Sequence, residues 1–285
     1  MKIASVEYAA PASIDDAIRL LAENEGAKII SGGQSLMPML AFRIAAPPLL
    51  VDLKNIQGMQ DITISKTGIR LGARVRWVDI EKDTRLPSAH PLLAEAIAHV
   101  AHYQVRNRGT VGGSIAHADP SAEMPGVAVA CDAVIEIQSP RGVRDVPVAE
   151  FLQGALQTCL EEDEIITSVH LPCWDPARRW AFEEFALRRG DFAMAGVLLH
   201  YAFDRFNQMN DVHIAAIGVH DHAFRITAVE EMLKGYALTD DLIESAAAVA
   251  CEALEPMEDL HASADYRRSL FGTLLRRALK RSWAP

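Results

Sequence analysis

Two short stretches carry residues whose type and spacing could do chemistry. The first runs Lys28, Ile29, Ile30, Ser31, Gly32, Gly33, Gln34, Ser35 and Leu36. An apolar strand delivers it and a helix leaves it. Paired glycines let a backbone approach a bulky ligand and adopt positive φ. The first N–H groups of a helix have no partner inside it, and the Gln34 amide and Ser35 hydroxyl add donors beside them. This is chemistry suited to a pyrophosphate. A tight strand-to-helix turn with no ligand accounts for the same residues. The second stretch is Arg106-Asn107-Arg108-Gly109-Thr110-Val111-Gly112-Gly113-Ser114-Ile115-Ala116-His117-Ala118-Asp119-Pro120, with three glycines in five positions. It reads as a second ligand loop or as a close crossing between two subdomains. Its arginines read as solvated, and nothing makes His117 a nucleophile or a metal ligand. Neither G-x-G-x-x-G nor G-x-x-x-x-G-K-[ST] occurs, so Rossmann and P-loop modes of nucleotide binding are not supported.

The elements that must position these loops are legible from pattern. Ser13 caps a first helix, with Asp16 at its third position and Ile14, Ala17, Ile18 and Leu21 at helical spacing. A strand over 27–30, a helix over 35–43 with Pro38 in its first turn, and a strand over 49–53 make a β-loop-α-β unit. Pro47-Pro48 and Asn55-Ile56-Gln57-Gly58 mark a boundary. A second block holds strands at 62–65 and 69–73, helices at 78–83 and 92–101, and the glycine-rich segment 107–114. It continues with a short helix at 124–131, a hairpin over 134–138 and 143–146, and a strand at 165–171. Cys173-Trp174-Asp175-Pro176 reads as a linker. The third block has strands at 182–187, 197–203 and 212–219, then helices at 228–233, 242–254 and 266–281, an α+β arrangement with helices on one face of a sheet.

Composition narrows the class. Half of the 285 residues are hydrophobic, enough for a sizeable core, and the formal net charge is -10. That balance argues against nucleic acid or an anionic membrane surface as partner. No stretch approaches the roughly 20 apolar residues of a membrane span. The start, Met1-Lys2-Ile3-Ala4-Ser5-Val6-Glu7-Tyr8, has no apolar core of signal-peptide length, and the expectation is a cytoplasmic protein. Cys131, Cys159, Cys173 and Cys251 form no C-x-x-C pair, so no zinc or iron–sulfur motif is visible. They read as buried thiols.

Gly32-Gly33-Gln34-Ser35-Leu36-Met37-Pro38, taken with Arg106-Asn107-Arg108-Gly109-Thr110-Val111-Gly112-Gly113-Ser114, resembles the medium, FAD-binding subunit of the carbon monoxide dehydrogenase and xanthine dehydrogenase family of molybdenum hydroxylases. A third match, Arg189-Gly190-Asp191-Phe192-Ala193, is similar to that family's short loop near the flavin ring. Each motif is unspecific alone. Their order and spacing over almost the whole chain are specific.

The resemblance implies an α+β fold. Residues 1–173 form a two-subdomain FAD-binding domain of the vanillyl-alcohol-oxidase type, with subdomains at about 1–57 and 58–173. Residues 174–285 form the C-terminal domain of such a medium subunit, with a three-stranded sheet and helices. FAD would lie between the subdomains. Residues 28–36 would wrap its pyrophosphate and ribitol, with Thr110, Gly112, Gly113, Ser114 and Ala116 on the other side. Ala101 and Val105 would lie near the flavin or adenine. The Glu123 carboxylate would accept hydrogen bonds from the sugar-like chain or ribose, and Leu160 would pack on a ring. Asp191 would shape the flavin loop and Phe192 would lie near the isoalloxazine. Ser31 replaces a small apolar residue. Ala186 stands where some relatives place a lysine, with Arg188 or Arg189 as substitutes. No catalytic acid, base or metal ligand is expected in this chain. Its implied partners are a large molybdopterin-bearing subunit and a small subunit with [2Fe-2S] clusters, in a dimer of heterotrimers. Electrons would pass from the clusters to FAD and then to an external acceptor. A self-contained FAD-dependent oxidase and a non-catalytic module that has lost its cofactor are the alternatives.

Overall fold

The computed structural model describes residues 2–283; Met1, Ala284 and Pro285, at the outer ends of the two expected domains, lie outside them. The first unit is a parallel sheet in which Leu49–Asp52 runs between Glu7–Ala9 and Lys28–Ile30. Parallel neighbours need crossovers, and the first crossover is the helix Ile14–Glu23, whose apolar stripe buries Ala17, Ile18 and Leu21. The Ser13 hydroxyl accepts from the Asp16 N–H at 3.1 Å and donates to the Asp16 carboxylate at 2.8 Å. Pro47-Pro48 lies inside this unit, because the central strand follows it and Glu7 N–H bonds to Pro48 C=O at 2.9 Å.

The second unit is an antiparallel sheet in the order Ile62–Ser65, Gly68–Gly72, Ile165–Pro172, Val134–Ser139, Gly142–Pro147. Its central strand is buried over most of its length, so both faces are covered. The helix Val111–His117 belongs to this unit, where pattern alone shows only a glycine-rich segment. Two helical glycines oppose it by about 1 kcal/mol each, but a Thr110 cap and the buried Val111 and Ile115 override that preference.

The third unit is an antiparallel sheet of Arg179–Phe185, Ala195–Phe203, Met209–Ile217 and Phe224–Arg225. The helices Thr227–Leu233, Asp240–Ala253 and Ala264–Trp283 share a core with it. The sheet therefore has a fourth strand beyond the three expected; two residues are too few to display a period. All eight residues of Glu123–Ala130 are buried, since this helix is caught between the second and third units. A Cβ on Gly126 would lie 2.7 Å from Ile217 and Leu198 of the third sheet, which explains the glycine. Of the four thiols expected inside, Cys131 is buried, Cys159 and Cys251 are half-buried, and Cys173 is exposed in the linker. Among the described residues, no helix is long and apolar enough to cross a membrane.

Candidate cofactor site

A cleft of about 1280 Å³ opens where the three units meet. It exceeds the ~300–1,000 Å³ of ordinary small-molecule pockets. The residues that the resemblance assigns to the cofactor line it: residues 28–36, Ala101, Val105, Thr110, Gly112, Gly113, Ser114, Ala116, Glu123, Leu160, Asp191 and Phe192.

The first loop supplies donors. The helix Leu36–Ala41 begins without a side-chain cap. Its first backbone bonds run from Met37 N–H to Gly33 C=O at 3.0 Å and from Met39 N–H to Ser35 C=O at 3.3 Å. Among the described residues, no protein acceptor takes the backbone N–H of Gly32, Gly33, Gln34, Ser35 or Leu36. Gly33 holds φ at +71°, a conformation that favours glycine. The Gln34 side-chain amide folds back to donate to Gly32 C=O at 3.1 Å. A run of uncommitted N–H groups before a helix is an anion-binding concavity.

The second loop is built differently. Its helix-start N–H groups are already bonded: Val111 to Val75 C=O at 2.9 Å, Gly112 to Ala73 C=O at 2.8 Å and Gly113 to Thr110 Oγ1 at 3.2 Å. Those bonds fasten the loop to the second unit and leave no free helix terminus for an anion. A Cβ on Gly112 would meet Ala73 at 2.5 Å, and one on Gly32 would meet Arg108 C=O at 2.3 Å. These two glycines permit close backbone crossings, Gly112 within the second unit and Gly32 between the first and second. Gly113 and Ala116 instead face open space, and a Cβ on Gly113 would meet only Thr110 Oγ1. The Ser31 and Thr110 hydroxyls lie 3.1 Å apart and tie the two loops together, so Ser31 is more than an apolar residue's replacement.

The third wall comes from residues 187–194. Gly190 has φ +87°, and a Cβ there would press on His102 Nδ1 at 2.5 Å and on Ala101 C=O at 2.7 Å. Ala101 itself lies at φ +42°. Arg106 Nη1 donates to Val100 C=O at 3.0 Å and Ala101 C=O at 2.9 Å, and its Nε lies 2.9 Å from Glu81. Arg106 is thus a brace for this turn, while Arg108 is exposed. Phe192 is 72 % exposed.

Sequence reasoning missed Arg267. It rises from the helix Ala264–Trp283, lines the cleft and is 7 % exposed. Its Nη1 donates to Met194 C=O at 2.7 Å and to Gly218 C=O at 2.9 Å; its Nη2 pairs with Asp259 at 2.7 Å. Arg267 stands four residues before Phe271 on the helix's buried stripe, and a charge at a core position was the available signal. Arg267, rather than Arg188 or Arg189, is the arginine that lines the cleft.

Acids outnumber permanent cations here. Lys28 and Arg267 face Asp119, Glu123, Asp191, Asp259 and others. Burial pushes the Glu123 carboxyl up to about 7, with Asp119 adding to it. Burial and the nearby Glu123 push Glu184 up to about 8. An anion in this cleft would rest on backbone dipoles more than on side-chain charge.

Residues 4–174 match the FAD binding domain in molybdopterin dehydrogenase, and residues 180–282 match the CO dehydrogenase flavoprotein C-terminal domain. The nicotine 6-hydroxylase medium subunit of Paenarthrobacter nicotinovorans is 38 % identical over 98 % of each chain. The medium chain of Hydrogenophaga pseudoflava carbon monoxide dehydrogenase is 35 % identical, over 98 % of this chain and 97 % of that one. A solved structure of carbon monoxide dehydrogenase from the same organism, lacking the Mo-pyranopterin moiety of its cofactor, superposes with a TM-score of 0.96 over 99 % of both chains at 35 % identity. Two glycine loops and the 187–194 loop around one cleft, with both family matches spanning nearly the whole chain, establish that this chain belongs to the FAD-binding medium subunits of the molybdenum hydroxylases, a family of oxidoreductase subunits.

Proposed function

We propose that this chain is the flavin outlet of a three-subunit hydroxylase. It takes electrons from [2Fe-2S] clusters in a small partner subunit and passes them to an external acceptor. Hydroxylation belongs to a large molybdopterin-bearing subunit, the assembly is a dimer of heterotrimers, and it works in the cytoplasm. The observation that carries the reading is the run of five uncommitted backbone N–H groups from Gly32 to Leu36, in the wall of a cleft roomy enough for a dinucleotide.

Residues 28–36 hold the diphosphate, and Gly113, Ser114 and Ala116 give it a smooth opposing face. Glu123 reaches the sugar-like chain, Leu160 packs on a ring, and the loop with Asp191 and Phe192 borders the isoalloxazine. Bound FAD supplies the redox chemistry; the protein supplies binding, orientation and electrostatics. Residues 1–173 carry the cofactor, and residues 174–285 close the cleft and carry the latch at Arg267. No side chain of the cleft is needed as nucleophile or general base, since electron transfer requires proximity and matched potentials.

Purified chain tests this directly. It should be yellow and release stoichiometric FAD on acid treatment. Alone it should hydroxylate nothing, and co-expression with the two partner chains should restore hydroxylation in one large species on sizing. Stoichiometric FMN, no flavin uptake, or turnover of an organic substrate by the isolated chain at an ordinary enzymatic rate would overturn the reading.

A further inference from the structure

The turn between Met209–Ile217 and Phe224–Arg225 carries His220, Asp221 and His222, which take no part in the cleft. Their ligand atoms converge, one from each residue, all within 4.8 Å of one another. Asp221 Oδ1 lies 2.6 Å from His220 Nδ1 and 2.6 Å from His222 Nδ1. The second contact is a hydrogen bond. The first is as short and brings a buried ring nitrogen against the same oxygen. Two imidazole nitrogens thus crowd one carboxylate oxygen, an arrangement that a shared cation accommodates.

The rings are held in place. His220 packs on Phe224 with centroids 4.6 Å apart and meets His222 edge-on at 5.0 Å. On the other side lies the hairpin of Leu152–Gly154 and Gln157–Thr158 from the second unit. The point a Gly154 Cβ would occupy is 3.6 Å from both Asp221 Oδ2 and Gln157 Oε1. The Gly154 turn of the second unit therefore borders the cluster's Asp221.

We propose that His220, Asp221 and His222 bind a divalent transition-metal ion of the zinc class, in a turn that lies beside the Leu152–Thr158 hairpin. Two imidazoles and one carboxylate exclude magnesium and calcium, which take oxygen sets, and suit zinc and its neighbours. Zinc–ligand bonds of about 2.0–2.2 Å place tetrahedral ligand atoms about 3.4 Å apart, so the 2.6 Å contacts to Asp221 widen by most of an ångström on binding.

The test uses the full-length, tag-free, FAD-loaded chain after dialysis against chelator. Zn²⁺ alone is titrated calorimetrically, and Co²⁺ alone is followed by its visible absorption. One equivalent is expected, with nitrogen-ligated Co²⁺ bands and a melting temperature that climbs with Zn²⁺ concentration. His220→Gln and His222→Gln should each weaken binding at least about tenfold, or 1.4 kcal/mol, while His170→Gln, in an unrelated strand, leaves it unchanged. If a variant fails to fold, the wild-type chain still decides: Zn²⁺ should protect His220 and His222, and not His170, from acylation by diethyl pyrocarbonate. No stoichiometric binding, equal affinity in the His220 and His222 variants, or unselective protection would overturn the proposal. None of these readouts depends on FAD transferring electrons.

Discussion

Replacing Arg267 with methionine keeps the length of the side chain and removes its donors. Two charge-assisted bonds disappear, to Met194 C=O at 2.7 Å and Gly218 C=O at 2.9 Å. Each is worth about 1.5–3 kcal/mol. The third partner, Asp259, is 48 % exposed, so that ion pair adds little in water. Partial rescue of the two carbonyls by water leaves an expected loss of about 3–5 kcal/mol, the range for breaking a buried charged contact. The damage should be local as well as global, because Met194 ends the loop that carries Phe192. Urea unfolding gives the global term. Trypsin gives the local one, since Arg188 and Arg189 are exposed in the same loop and should be cut faster in the variant. Arg267→Lys, which keeps the charge but not the fork, should fall between the two. A methionine variant with an unfolding free energy within about 0.5 kcal/mol of wild type, the usual span of neutral substitutions, and an unchanged cleavage rate would refute the latch.

Gly113→Val puts a side chain on the open face of the second loop, so flavin occupancy should fall while the FAD-free chain loses only the Thr110 cap, about 1 kcal/mol. Gly33→Val should lower both occupancy and stability, because φ +71° strains any L side chain by roughly 1–2 kcal/mol; flavin content beside a melting curve separates the two cases. Glu123→Gln concerns pH. The folded carboxyl titrates at about 7 against an unfolded value near ~4.3, so the folded state binds the extra proton between them. Stability of the FAD-free chain therefore falls as pH rises across that window. The glutamine should flatten the fall, read as urea midpoints at pH 5 and pH 8. Phe192→Ala should change the rate of flavin reoxidation by oxygen or a dinucleotide while FAD stays bound; identical rates with every acceptor would remove Phe192 from the flavin's border.

What the sequence disclosed was local. Ser13, Ile14 and Leu21 announce their helix because cap and stripe lie within one window. The glycine loops announce themselves because φ and close approach leave a residue signature. What stayed hidden depends on distant chain. Gly32 and Gly113 look alike in sequence, yet one is glycine because of Arg108 C=O and the other opens on the cleft. The helix Val111–His117 forms against propensity because Ala73 and Val75 accept its first N–H groups. The Arg267 partners lie 73 and 49 residues away, and Glu184 is perturbed by Glu123 from another unit. No window short enough to read by eye holds both members of such pairs.

The Gly218 peptide is bonded on both sides, its N–H to Pro120 C=O at 2.8 Å and its C=O to Arg267. Pro120 lies in the FAD-binding half of the chain and Arg267 in the last helix. A chain emerging from the ribosome delivers its donor loop well before its latch, and units made earlier fold before the rest is made. Until the helix bearing Arg267 docks, the third wall lacks the clamp on its Met194 carbonyl. A chain broken off before residue 267 is therefore expected to leave that wall loose and open to proteases.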